Sequence, residues 1–290
     1  MMKASSFSVE TEVIRVESVG NRSDDAYTSI MFFIFLSVLW TLFLVCLPVV
    51  ADVGPDNYYE HHPDWYTGND VIRFIEPIGG LLLNCVVLYK SKIFRGELSG
   101  QDAWAVMIFV FGCALYVQGG AFHSASNMYK NSLETIQKNR DDDYFDPLHH
   151  YIRTVWQHGV SHYIYATGLA IMHAIQVYSY RELRAPDEGL PVAAKGLLVC
   201  ATLLLAFLLL AVALQFPSGT IVGFLYLILY GFGVVGMYLV MLYRSGERKA
   251  LTQFGHLPVV HYFATSYALC LFALVVWICA KGGFVTRSRD

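Results

Sequence analysis

Charge is scarce in this chain: only 15% of its 290 residues are Asp, Glu, Lys or Arg, against about 25% in soluble globular domains. That shortage excludes an ordinary soluble enzyme. Positive charge is not in excess either: 20 Lys and Arg stand against 23 Asp and Glu, a formal net charge of −3. Without a basic stripe, a nucleic-acid partner is excluded. Cysteine is limited to Cys46, Cys85, Cys113, Cys200, Cys270 and Cys279. All lie inside apolar runs, where small apolar packing residues are expected and disulfides between loops are not. There is no persistent heptad, no EF-hand spacing and no strand–loop–helix setting for a phosphate-binding glycine loop. Val285 to Asp290 carries no recognised retrieval signal.

What the chain has in abundance is apolar length. Hydrophobic residues make up 56% and the mean hydropathy is +0.46. The apolar runs fall at 30–51, 71–91, 103–123, 153–178, 192–215, 218–243 and 258–280. At 1.5 Å per residue each can cross a hydrocarbon core roughly 30 Å thick. The pattern predicts an all-α polytopic membrane protein in which seven transmembrane helices occupy 30–283. A disordered cytosolic tail is expected over 1–29 and a short lumenal tail over 284–290. Val49-Val50-Ala51 resembles a leader cleavage site, but the apolar run before it is longer than a leader's and follows a polar segment, so a retained span is expected.

The basic residues set an orientation. Lys3, Arg15 and Arg22 precede the first run, and Lys90, Lys92, Arg95, Arg181, Arg184, Lys195, Arg244, Arg248 and Lys249 flank the even-numbered connections. The opposite side has half as many: Lys130, Lys138, Arg140, Lys281, Arg287 and Arg289. Positive charge marks the cytosolic face, so the N-terminus is expected in the cytosol and the C-terminus in a lumenal or extracellular space. The one N-x-S/T sequon, Asn21-Arg22-Ser23, would then face the cytosol and stay unglycosylated.

On this topology seven of the ten histidines gather at the lumenal side: His61, His62, His123, His149, His150, His158 and His162. Arg73, Glu76, Asn127, Asp146 and Arg153 belong to the same layer. Ionisable groups at membrane depth are costly and face a polar cavity or a partner. Arg73, Glu76, His123, Asn127, Arg153, His158, His162 and Tyr165 are therefore the expected polar pocket. At 100° per residue His158, His162, Tyr165 and His173 share one stripe. His158 and His162 have the i, i+4 spacing that lets two imidazoles reach one Zn²⁺, with His123, Glu76 or Asp146 to complete the set. The other reading is hydrogen bonding across helices, with no metal or other cofactor. For Glu76 the two readings are a ligand-facing carboxylate and an ion pair with Arg73 or Arg153. Close helix packing accounts for Gly112, Gly119, Gly120, Gly219, Gly223, Gly231, Gly233 and Gly236. The Asp141-Asp142-Asp143 run reads as a solvated loop.

Several stretches resemble the ceroid-lipofuscinosis neuronal protein six family: Ile75-Glu76-Pro77 to Leu83, Gly112 to Asn127, Tyr151 to Tyr165, and Tyr243 to Trp277. The resemblance spans about residues 58–283. It implies a seven-span endoplasmic-reticulum membrane protein without a settled catalytic mechanism, acting as an adaptor in lysosomal-enzyme export or in lysosomal and lipid homeostasis. Other endoplasmic-reticulum membrane proteins or lumenal hydrolases would be its partners. His123, Ser124 or Ser161, Asp146, His158 and His162 are also similar to the Ser, Asp and three-histidine set of the seven-span alkaline ceramidase and progestin-type receptor superfamily. There the His-x-x-x-His pair lies on the last span, not the fourth. That resemblance implies a zinc-dependent lipid amide or ester hydrolase. A transporter is the least favoured class, since the fifth and sixth runs are nearly free of ionisable residues and no inverted repeat is visible.

Overall fold

A computed structural model describes residues 20–50, 68–91, 93, 99–140, 146–216, 219–244, 246 and 253–285. His61, His62, Trp65 and Asp141-Asp142-Asp143 lie outside them, as do most of the expected tail at 1–29 and residues 286–290. Among the described residues all regular structure is helical. The elements are α1 (Gly20–Val50), α2 (Gly68–Tyr89), α3 (Gly100–Arg140), α4 (Asp146–Tyr151), the π-helix π1 (Ile152–Val160), α5 (Ser161–Ser179), α6 (Val192–Gln215), α7 (Thr220–Tyr226), the π-helix π2 (Leu227–Gly236), α8 (Met237–Arg244) and α9 (Pro258–Ala280).

Five helices, α1, α2, α3, α6 and α9, contain stretches long and apolar enough to cross a membrane. The fourth and sixth apolar runs are helical as well, but each changes from α to π winding on the way: α4, π1 and α5 are consecutive, as are α7, π2 and α8. Their sequences explain why a uniform α-helix is not kept. The fourth run has polar side chains at Thr154 and Ser161 whose hydroxyls donate to the carbonyls of His150 and Gln157. These bonds occupy backbone acceptors and help bend or widen a turn. In the sixth run a Cβ on Gly231 would stand 2.9 Å from the Tyr267 ring, so that turn is shaped by a neighbouring aromatic.

Two boundaries differ from expectation. The tail expected over 1–29 is helical from Gly20 onward, because a helix already nucleated adds one hydrogen bond per residue and Tyr27 donates from it to the Arg184 carbonyl, 2.6 Å away. At the other end α9 stops at Gly282 and Gly283, whose φ values of 76° and 142° suit glycine. The chain then returns to α7: Thr220 donates its backbone N–H to the Val285 carbonyl at 3.0 Å. Gly219 is part of this turn. Its φ of 88° makes it a backbone necessity, a different reason from the helix packing expected for it.

The helices close into a ring in which α1 packs on α2, α2 on α3, α3 on α5, α5 on π2, π2 on α9, α9 on α6 and α6 back on α1. α5 also touches α2 and α9 across the interior. Large apolar side chains such as Phe43, Leu82, Phe111, Phe207, Leu229 and Phe272 remain exposed on the outside. An apolar surface of that extent suits the lipid bilayer.

The tightest seam joins α3 to α5. A Cβ on Gly168 would stand 2.4 Å from the Tyr116 amide nitrogen, and one on Gly119 would stand 2.5 Å from that of Tyr165. Gly112 faces Ile171 and the Gly168 carbonyl in the same way. Close backbone approach through small residues is therefore the role of Gly112 and Gly119, as expected, and Gly120 clears space for Pro77. All six cysteines are free thiols on helices.

Candidate functional site

The polar residues of α2, α3, π1 and α5 meet in two layers at one end of the ring. The outer layer is built on Asp70, which is 1% exposed. Asn127 donates from Nδ2 to Asp70 Oδ1 at 2.5 Å, and Gln157 donates from Nε2 to Asn127 Oδ1 at 2.9 Å. A carboxylate, an amide and a second amide thus tie three elements together. Arg73 lies one turn from Asp70 on α2 and is half-buried.

Six residues inward from Asp70, about 9 Å along the helix axis, Glu76 is 5% exposed. Tyr116 of α3 donates to Glu76 Oε1 at 2.7 Å, and Tyr165 of α5 reaches both carboxylate oxygens at 3.2 and 3.4 Å. The two phenol oxygens are 2.9 Å apart and their ring centroids 4.4 Å apart. Trp40 of α1 donates from Nε1 to the Glu76 carbonyl at 3.0 Å, lying over Gly79, where a Cβ would come within 2.5 Å of the indole. Thr41 follows, with Oγ1 3.5 Å from the Tyr116 oxygen. Among the described residues, tyrosine hydroxyls are the side-chain partners seen on this carboxylate.

Further inward, Gln176 donates to Asn84 Oδ1 and Asn84 to the Gly80 carbonyl, both at 2.8 Å. Asn84 and Gln176, with Ser37, Thr41 and His173, border a cavity of about 20 Å³. That volume suffices for one water molecule. His173 lies 3.2 Å by Nδ1 from the Tyr267 hydroxyl and 4.6 Å by ring centroid from Phe263. It is a hydrogen-bonded core histidine far down α5 from His162. At the opposite end of the bundle a second cavity, of about 330 Å³, opens between Asp187, Glu188, Lys195, Gln253 and His256.

His123 of α3, His158 of π1 and His162 of α5 come together. One ring nitrogen from each lies within 4.8 Å of the others, and all three side chains are half-buried. Ring centroids are 5.4 Å apart for His123 and His162, 5.5 Å for His158 and His162, and 6.3 Å for His123 and His158. Asp146 opens α4 at an exposed position and is not a member of this group. Arg153 is half-buried on the first turn of π1.

Of the expected pocket, Glu76 and Tyr165 are in direct contact, Asn127 joins the outer layer, and the three histidines converge. Asp70, Tyr116, Gln157 and Thr41 were not among the expected pocket residues. An acid at the very start of an apolar run was the available signal for Asp70. For Tyr116 it was the position between Gly112 and Gly119, on the face that meets another backbone. No family model matches the chain, and no curated protein or solved structure is significantly similar to it. The site must be read from its own chemistry.

Proposed function

We propose that this is a seven-span protein of the endoplasmic-reticulum membrane, N-terminus cytosolic and C-terminus lumenal. In this reading it holds the polar group of a membrane lipid beside Glu76. It serves as an adaptor in lysosomal-enzyme export or lipid homeostasis, with endoplasmic-reticulum membrane proteins or lumenal hydrolases as partners. Five apolar helices and two further apolar helical runs support the span count. The excess of Lys and Arg beside the even connections supports the orientation, and the family resemblance supports the organelle and the role.

One observation carries the site: a carboxylate buried at hydrocarbon depth and met by two phenols from two other helices. Such a group is costly in a membrane and marks a place where polar chemistry is needed. Tyrosine offers an apolar ring to an acyl or sterol body and a hydroxyl to its polar end. A lipid hydroxyl or amide can replace the Tyr165 bond to Glu76 without leaving the carboxylate unpaired.

Photoactivatable, alkyne-bearing sterol, ceramide and fatty-acyl probes test this in intact cells. Labelling of the wild type by one class, lost in Glu76→Leu and reduced in Tyr165→Phe at equal protein levels, is the expected result. Equal labelling of wild type and Glu76→Leu by all three classes would overturn it. Coincidence with an endoplasmic-reticulum marker tests the location separately.

A further inference from the structure

We infer that His123, His158 and His162 form a binding site for a single divalent transition-metal ion, with Zn²⁺ the best fit. Three elements contribute one imidazole each, and one nitrogen from each already lies within 4.8 Å of the other two. A tetrahedral ion with Zn–N bonds of about 2.0–2.1 Å needs nitrogens about 3.4 Å apart. Rotation of half-buried rings supplies that difference without moving a backbone. The donor set is wholly imidazole, which suits Zn²⁺, Cu²⁺ or Ni²⁺ and is wrong for the hard ions Ca²⁺ and Mg²⁺, whose ligands are oxygens.

The backbone supports the same assignment. His158 sits in π1 and His162 on the first turn of α5, so the winding changes between the two ligands. The Ser161 N–H donates to the Trp156 carbonyl, five residues back, at this junction. π winding inside α-helices recurs at functional sites, where it re-aims a side chain at some cost in hydrogen-bond geometry.

Unmet polar valence lies close by in the chain. Among the described residues Ser124 Oγ and Gln157 Oε1 are buried with no hydrogen-bond partner, and they belong to the residues adjoining His123 and His158. Buried polar atoms ordinarily have a partner. Three protein ligands with a fourth position left to water is the pattern of a site that remains open to small molecules.

The site is tested on full-length protein purified in detergent, stripped with a chelator, dialysed against Zn²⁺ and analysed for metal by mass spectrometry. About one zinc per chain is expected. His123→Ala, His158→Ala and His162→Ala should each weaken retention by about ten-fold or more, while His150→Ala, on the neighbouring α4, leaves it unchanged. Loading the wild type with Co²⁺ needs no variant and should give the intense visible absorption of tetrahedral cobalt. Zinc in the wild type no higher than in the triple alanine variant, or a cobalt spectrum of the weak octahedral kind in the wild type, overturns the assignment. Lipid labelling reports on Glu76 independently, so failure of one reading leaves the other standing.

Discussion

Asp70 and Glu76 are two carboxylates six residues apart on one helix, and each is held by a different kind of donor. Asp70 is bonded by an amide whose own oxygen accepts from Gln157. Replacing Asn127 by Leu keeps the branched outline of the side chain but removes both bonds, taking a donor from buried Asp70 and an acceptor from buried Gln157. A loss of roughly 1–3 kcal/mol is expected, seen as a lower melting temperature in detergent; an unchanged melting temperature would show that this layer contributes nothing. Glu76 is bonded by phenols. Tyr116→Phe removes the shorter bond, and a destabilisation of roughly 1–3 kcal/mol is expected for leaving a buried polar group short of a partner. Tyr165→Phe should cost less, because its two contacts are longer. A reversed order in thermal denaturation would mean that Tyr165 and not Tyr116 is the main partner of the carboxylate.

The seam between α3 and α5 makes these contacts possible. Tyr116 and Tyr165 reach one carboxylate because Gly112, Gly119 and Gly168 let the two backbones approach. A methyl group on Gly168 would meet the backbone of α3, which cannot swing aside as a side chain does. Gly168→Ala is therefore expected to cost roughly 1–3 kcal/mol. It should also lower lipid labelling at Glu76, since the helices must separate. Gly196 of α6 gives the contrast. Nothing lies within 4 Å of a Cβ placed there, and Gly196→Ala should be neutral or stabilising by up to about 1 kcal/mol. Equal melting temperatures for the two variants would refute the seam. The π1 winding belongs to this scale as well. A uniform 100° per residue places His158 and His162 on one stripe, and the two do converge, but a π segment has a wider turn and the 100° rule no longer derives that result.

At the scale of the whole molecule, chain ends and connections sort onto two faces. Tyr27 near the start of α1 bonds to Arg184, Tyr238 of α8 bonds to Arg181, and Lys90 at the end of α2 lies 5.0 Å from the centroid of the Phe33 ring of α1. One face of the bundle therefore gathers several of the basic residues that the positive-charge rule assigns to the cytosol. The other face carries the start of α2, the outer end of α3 and π1, and with them the two polar layers and the histidines. A glycan acceptor engineered after Lys138 should be glycosylated, giving a mass shift removed by endoglycosidase. Asn21 in its native sequon should not be. Modification of Asn21, or lack of it at the engineered site in an otherwise glycosylation-competent membrane, would reverse the orientation.

Composition and the spacing of apolar runs were enough to establish a helical membrane protein, to place its cysteines inside helices and to nominate Glu76, Asn127, Tyr165 and the three histidines. Those properties reside in the chain itself, because water and hydrocarbon act on each segment as it stands. Only the tertiary structure decided the partners. Asp70 lies 57 residues from Asn127, Glu76 lies 89 from Tyr165, and His173 lies 94 from Tyr267. A pairing across such separations depends on how far each helix is rotated about its axis and slid along its neighbour. Ridges, glycine seams and π turns set those two quantities, and hydropathy does not record them.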